Sequence, residues 1–470
     1  MDVVSKWFNW TAVFLFQPGD VLRIDKLMTF ESLNSPPTSK PLKRPTFVDV
    51  FAGCGGLSLG LSQAGWTGLF AVERDEMAFE TFRENLVVGG LRKFRFQWLN
   101  EVAQPRAMHI EDLIANPKTK LMCGRVDLLA GGPPCQGFSM AGRRQVDDPR
   151  NKLIHRYGDL VELIKPKFLL IENVPGMRSQ HAEHGTGPRR SPRTSYQDVL
   201  LSLLGDLKYE VAPSIIDASI FGVPQRRERL FFIGVERSLV RAGCPAPQQI
   251  FDAISQHATA FKARKGLGRI VTARDALSDH ETQEDPARLR DHVDRYSRAG
   301  FKELRYEPKA ARTPYQKLMR RHASGAPNSM RLARHTTDVI RRFRLVNRPS
   351  ATKGRNVKSD TRQLFETHGL HTKKLRIHPL HPDEPAPTVT TLPDDIVHYD
   401  EPRILTVREY ARLQSFPDWY KFQGKYTTGG SRRIKECPRY TQVGNAVPPL
   451  LAEAMGVVLR GAWSRGSGHA

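Results

Sequence analysis

Six short apolar runs separated by helical stretches lie between Thr46 and Val235, and that alternation narrows the fold more than any other feature. "TFVDVF" opens it at Thr46, a β-branched and aromatic run that reads as a buried strand. "GLFAVE", "VDLLA", "KFLLIEN", "YEVAPSII" and "RLFFIGV" read the same way. Patterns of helical period fall between them, at about Leu57 to Ala64, Glu76 to Leu86, "YGDLVELI" and "YQDVLLSLLGDL". Strands alternating with helices predict an α/β fold, with a mostly parallel sheet covered by helices on both faces.

After Glu236 the alternation decays and the charge changes. Residues 237–385 hold 31 Lys/Arg against 15 Asp/Glu, which is +16 of the formal +23. Clusters such as "VIRRFRLVNR" and "TKKLRIH" interleave the basic groups with Phe and Leu. A positive surface of this size points to a polyanionic partner, most often nucleic acid. A chain of 470 residues is long enough for two domains. The expected division is an N-terminal appendage at 1–45, a catalytic and cofactor-binding domain at 46–236, a basic domain at 237–385, and a return to the first domain at 386–470. "TVREYARLQSF" and a helix after Pro449 mark that return. The apolar run Trp7 to Phe16 is too short to span a bilayer and lacks a clear cleavage site, so neither a membrane anchor nor a signal peptide is expected. Met28 is an alternative start.

Two turns carry the chemistry. The first, "FAGCGG", joins a strand to a helix, where glycines let a ligand approach the backbone and the helix start offers free N–H groups. Glu73 ends the next strand, 20 residues after Gly53, where an acid can accept from both ribose hydroxyls of an adenosine cofactor. The spacing is G-x-G-G rather than the full dinucleotide fingerprint, which favours S-adenosylmethionine over a pyrophosphate dinucleotide. The second turn is "GGPPCQGFS", where two prolines stiffen the backbone before Cys135 at the end of a strand-like run. Cys135 could be a packed thiol, half of a disulfide, a metal ligand or a nucleophile. Five scattered cysteines argue against a disulfide framework, and no Cys/His set has zinc spacing, so no metal is expected.

Eight blocks resemble the C5-cytosine methyltransferase family, in that family's order: "DVFAGCGGLSLGL", "AVERD", "GGPPCQGFS", "LLIENVPG", "FGVPQRRERLFFIG", "PTVTT", "RLQSFPD" and "QVGNAVPP". The resemblance spans about Thr46 to Gly456 and implies a Rossmann-like methyltransferase sheet, with 237–385 as the variable target-recognition domain. It implies that Cys135 attacks C6 of cytosine, since a thiolate is the strongest side-chain nucleophile near neutral pH. It implies that Glu172 contacts N3 and the exocyclic amine, that Arg229 holds O2, and that Arg227 helps order the site, with Arg226 facing away. For S-adenosylmethionine it implies Phe51, the backbone of Gly53 and Gly55, Glu73 on the ribose, Asp112 as a candidate for the adenine amine, Pro134 beside the nucleophile, and Asn445 with Val447 closing the pocket. Arg74 stands where relatives often carry an apolar side chain against the adenine. Arg143 and Arg144, in the polar loop after the cysteine, would contact phosphate from a lid. The target base must be flipped out of the duplex to reach such a turn.

The expected substrate is double-stranded DNA, and the rivals are a tRNA-directed relative, a nicotinamide-dependent oxidoreductase and a non-catalytic DNA-binding module. A recognition segment of about 150 residues favours DNA over tRNA. A cytoplasmic, nucleoid-associated monomer is expected, with a separately acting restriction endonuclease as a possible companion.

Overall fold

A computed structural model describes residues 44–134, 152–178, 195–282, 285–297, 300–307, 311–347, 363–370, 377–428, 432 and 435–466. Residues 1–43 of the appendage, Cys135, Arg143 and Arg144 fall outside them.

All six apolar runs are strands: β1 (Thr46–Val50), β2 (Thr67–Val72), β3 (Leu128–Gly131), β4 (Phe168–Asn173), β5 (Tyr209–Asp217) and β6 (Glu228–Glu236). They form one sheet in the order β2-β1-β3-β4-β6-β5. β1 pairs parallel with β2 and β3, and β3 with β4, whereas β6 is antiparallel to both β4 and β5. The sheet is therefore mostly parallel, as the alternation predicts, with one reversed strand inserted beside β4.

Alternate side chains of each strand point to opposite faces, and each face is buried under helices. Phe47, Leu128, Leu170 and Phe231 pack in one cluster with residues of α1 (Gly56–Gln63), α6 (Pro247–Arg264) and α10 (Pro449–Gly466). Val48, Leu129, Leu169 and Phe232 pack in the other with α3 (Ile110–Ala115), α4 (Lys152–Ile164) and α5 (Tyr196–Asp206). α2 (Glu76–Arg83) starts at Asp75, whose side chain accepts from Ala78 N at 2.9 Å, an N-cap that satisfies a free donor.

α6 lies within the basic segment, yet its Ile250, Phe251, Ile254 and Phe261 belong to the core on the sheet. The rest of that segment is built differently. It holds a short antiparallel pair, β7 (Leu289–Asp291) and β8 (Lys302–Leu304), and the helix α7 (Thr337–Val346). α7 buries Phe343, Leu345 and Val346 in a separate small cluster with Phe365, Leu370 and Ile377, and leaves Arg341 and Arg344 exposed. The returning chain forms α8 (Val407–Leu413), α9 (Arg439–Asn445) and then α10. Among the described residues, no helix is long and apolar enough to cross a membrane.

Candidate active site

The glycine turn sits where β1 ends. Phe51, Gly53 and Gly55 adopt positive φ values of 60°, 56° and 89°. For glycine this conformation carries no penalty, but for Phe51 it is strained, and such strain collects at functional sites. A Cβ added at Gly53 would meet open space. Glu73, half-buried just past β2, faces this turn: its Oε2 accepts from Gly53 N at 2.9 Å and its Oε1 from Asp75 N at 2.8 Å. A carboxylate can accept about four hydrogen bonds, so both oxygens retain capacity for a ligand's hydroxyls. Burial pushes the Glu73 carboxyl up from its ordinary pKa, against the pull of those two backbone donors.

Two segments distant in sequence line this turn. Met108 N donates to Glu73 O at 2.9 Å, which brings the start of α3 alongside. Asp112 lies there, exposed, with Oδ2 accepting from His109 N at 3.2 Å as a helix-start acid. From the far end of the chain, α10 packs closely on α1. A Cβ on Gly60 would lie 2.4 Å from Ala452 Cβ, so only glycine allows this approach. The residues before α10 are thereby held against the start of α1, where a Cβ on Gly56 would lie 2.3 Å from Val447 O. Val447 is buried there and Asn445 is exposed. Cys54 is not a candidate nucleophile: it is buried, donates from Sγ to Gln442 O at 3.4 Å, and burial pushes its thiol well up.

The second half of the site lies at the ends of β3 and β4. Asn173 Nδ2 donates to Pro133 O at 3.2 Å, and a Cβ on Gly132 would lie 3.0 Å from Glu172 Oε2. The turn leading toward Cys135 is thus tied directly to the strand end that carries Glu172, with Pro134 half-buried beside it. Arg229 reaches across from β6: its Nε lies 3.0 Å from Glu172 Oε1, and both side chains are mostly buried. Arg229 and Glu172, assigned to different edges of a base from sequence, form one ion pair here.

Arg227 enters β6 two residues earlier and is buried beneath this pair. It donates from Nη2 to Gly444 O at 2.8 Å and Ala446 O at 3.2 Å, and from Nη1 to Val389 O at 3.2 Å. It therefore straps the "PTVTT" and "GNAVPP" blocks to the sheet. Arg226 faces outward, as the alternation requires, and pairs with Glu384 at 3.3 Å.

One acid escaped the sequence reading. Asp49 is buried in β1 and accepts from Ser58 Oγ on α1 at 2.5 Å. Burial raises its carboxyl from the usual 3.8 to about 7, with Glu73 adding to the rise. An acid inside an otherwise apolar strand run was the available signal. Among the described residues no group of His, Cys, Asp and Glu is arranged to hold a metal ion.

A model of C-5 cytosine-specific DNA methylases matches residues 45–460. The chain belongs to the C-5 cytosine-specific DNA methylase family. The methylase is 30% identical over 416 residues to the type II methyltransferase M.DdeI of Desulfomicrobium norvegicum, covering 87% of this chain and 86% of that one. It is also 30% identical over 477 residues to the type II methyltransferase M.AgeI of Thalassovita gelatinovora, covering 88% and 98%. Its fold resembles that of an Escherichia coli prophage-encoded protein of known crystal structure, with a TM-score of 0.56, 24% identity, and 89% and 99% of the two chains covered. Membership makes this methylase a DNA cytosine-5-methyltransferase, in a family that depends on S-adenosylmethionine.

Proposed function

We propose that this chain binds S-adenosylmethionine against the Phe51–Gly56 turn and methylates a flipped cytosine over the β3 and β4 strand ends, with Cys135 as nucleophile. The observation that carries the reading is the Glu172–Arg229 ion pair set 3.0 Å wide beside the Gly132–Pro134 turn. Cys135 follows Pro133 by two positions, so chain connectivity alone keeps their Cα atoms within about 7.6 Å.

The turn fits an adenosine cofactor. It has an open face at Gly53 and an acid with spare acceptor capacity at Glu73. Phe51, Gly55, Asp112, Pro134, Asn445 and Val447 complete the proposed cofactor surface. When bound, S-adenosylmethionine supplies the electrophilic methyl group that C5 takes up.

The residues of the chain do the rest. The Cys135 thiolate attacks C6 and breaks the aromaticity of the ring. Glu172 meets N3 and shares a proton with it as charge develops there. Arg229 fixes that carboxylate and meets O2, and Arg227 holds the C-terminal wall in place. Water then takes the C5 proton, the C5–C6 double bond re-forms, and the C6–S bond breaks to release the Cys135 thiolate.

For DNA, we assign recognition to the part of 237–385 that follows Arg264, because α6 covers the sheet. The exposed Arg341 and Arg344 of α7 support a phosphate-facing role. Arg143 and Arg144 are proposed phosphate contacts from a lid over the flipped base. The type II relatives support action on a specific duplex sequence, with a restriction endonuclease as separate companion, and one chain suffices for both catalysis and reading. A monomer acting at the nucleoid in the cytoplasm follows from that reading.

The test is transfer of labelled methyl groups to duplex DNA and to tRNA in parallel. Labelled duplex with unlabelled tRNA is expected, and labelled tRNA with unlabelled duplex would overturn the substrate.

A further inference from the structure

We propose that Arg439, at the start of α9, is a positioning residue that couples the cofactor acid Glu73 to the DNA-recognition segment, so that cofactor and DNA bind cooperatively through it. The inference rests on the functional reading above and adds a residue that no motif identifies.

One end of the connection is the cofactor turn. Glu73 Oε1 accepts from Asp75 N at 2.8 Å, and Asp75 Oδ2 accepts from Cys437 N at 2.9 Å, immediately before α9. Further along α9, Gln442 O accepts from Cys54 Sγ within the glycine turn, at 3.4 Å, and Gln442 Oε1 accepts from Thr81 Oγ1 on α2 at 2.7 Å. α9 is therefore bonded both to the cofactor turn and to the helix that follows the acid.

The other end is the recognition segment. Arg439 is buried, and its guanidinium is fully engaged across three strands of chain. Nη2 donates to Asp294 Oδ2 at 2.7 Å, Nη1 to Ser329 Oγ at 3.0 Å, and Nε to Gly424 O at 2.8 Å. It lies 4.3 Å over the Tyr426 ring and 5.7 Å from that of Tyr296. Tyr296 in turn donates to Glu80 on α2 at 2.6 Å. Ser329 sits at φ 68°, a conformation a non-glycine residue keeps only when its surroundings impose it. Arg439 on its hydroxyl and Arg408 N on its carbonyl, at 3.2 Å, impose it here.

A planar, charged fork that bridges two segments holds them in one relative geometry more rigidly than a lysine or an amide does. Any shift of Asp75 when Glu73 engages a ribose reaches Asp294 and Ser329 through a single short helix. By reciprocity, DNA that orders the recognition segment then favours the cofactor-bound arrangement.

The test compares the affinity for S-adenosylhomocysteine, measured by calorimetry with and without a saturating duplex that the enzyme methylates. In the unmodified enzyme the duplex is expected to tighten binding about five-fold or more, whereas in Arg439→Gln the ratio should fall to about one with binding in the absence of DNA little changed. Arg439→Lys should restore part of the ratio. Asp294→Ala removes the acceptor from the opposite side and should also collapse the ratio, which keeps the test open if Arg439→Gln does not fold. A purely structural role would lower the melting temperature and leave the ratio intact. A folded variant with the unmodified enzyme's ratio would overturn the inference, as would an unmodified enzyme in which the duplex leaves cofactor affinity unchanged. Failure of the unmodified enzyme to bind S-adenosylhomocysteine at all would instead overturn the functional reading.

Discussion

Replacing Arg227 by methionine would keep the apolar stem in place and remove the side-chain donors that Arg227 gives to the C-terminal blocks. Three carbonyls lose a bond: Gly444 O, Ala446 O and Val389 O. Ala446 O retains Gln414 Nε2 at 3.3 Å, so two buried acceptors are orphaned. Each orphaned acceptor costs about 1–3 kcal/mol, or about 2–6 kcal/mol for the pair. Burial and the neighbouring Arg229 already hold the Arg227 pKa well below its ordinary value, so removing the charge returns part of that loss. The net expectation is a destabilisation of about 2–4 kcal/mol, a large fraction of the about 5–15 kcal/mol that ordinary folds possess. Chemical denaturation of the two proteins side by side measures it. The same change loosens the 445–447 segment against α1, so affinity for S-adenosylhomocysteine should fall in parallel. A variant within about 1 kcal/mol of the unmodified protein, with unchanged affinity, would refute the strap.

Two further outcomes follow from the cofactor side. Glu73→Ala removes the acceptor of Gly53 N and Asp75 N as well as the proposed ribose contact. Calorimetry should show cofactor affinity weakened about ten- to one-hundred-fold, the scale of a hydrogen bond to a charged group, and an unchanged affinity would remove Glu73 from the site. Asp49, with its carboxyl raised from 3.8 to about 7, makes folding stability fall as pH rises. Below pH 4 both states hold the proton; between about 4 and 7 the unfolded chain releases it while the folded chain keeps it; above 7 the loss is complete, at most about 4 kcal/mol. Asp49→Asn should remove that slope, measured as the difference between the two stability profiles from pH 5 to 8, and parallel profiles would contradict the assignment.

The sheet was legible because its strands are short apolar runs bounded by glycine and polar turns, and all six appear where the pattern puts them. Within the candidate site, Glu172, Arg229 and the Gly132–Pro134 turn, each carried by a short block, lie together. What stayed hidden depends on partners far away in the chain. α9 spans seven residues and contains a glycine, too little for helical periodicity to register. Arg412 in α8 reads as a surface residue, yet it is buried because Asp279, 133 residues earlier, and Asp418 both reach it. Asp49 reads as a polar interruption of a strand until the fold buries it against Ser58. Within the basic segment, residues 242–261 hold one charged residue, Asp252, and that local lack of charge is the signal that separates α6, which covers the sheet, from α7, which turns Arg341 and Arg344 outward.

If Cys135 is the nucleophile, Cys135→Ser removes the attacking thiolate and leaves the cofactor turn intact. The account predicts that this variant binds S-adenosylhomocysteine with the affinity of the unmodified enzyme, because Glu73 and the Phe51–Gly56 turn are untouched, and transfers no labelled methyl group to duplex DNA. Methyl transfer by Cys135→Ser at the rate of the unmodified enzyme would contradict it.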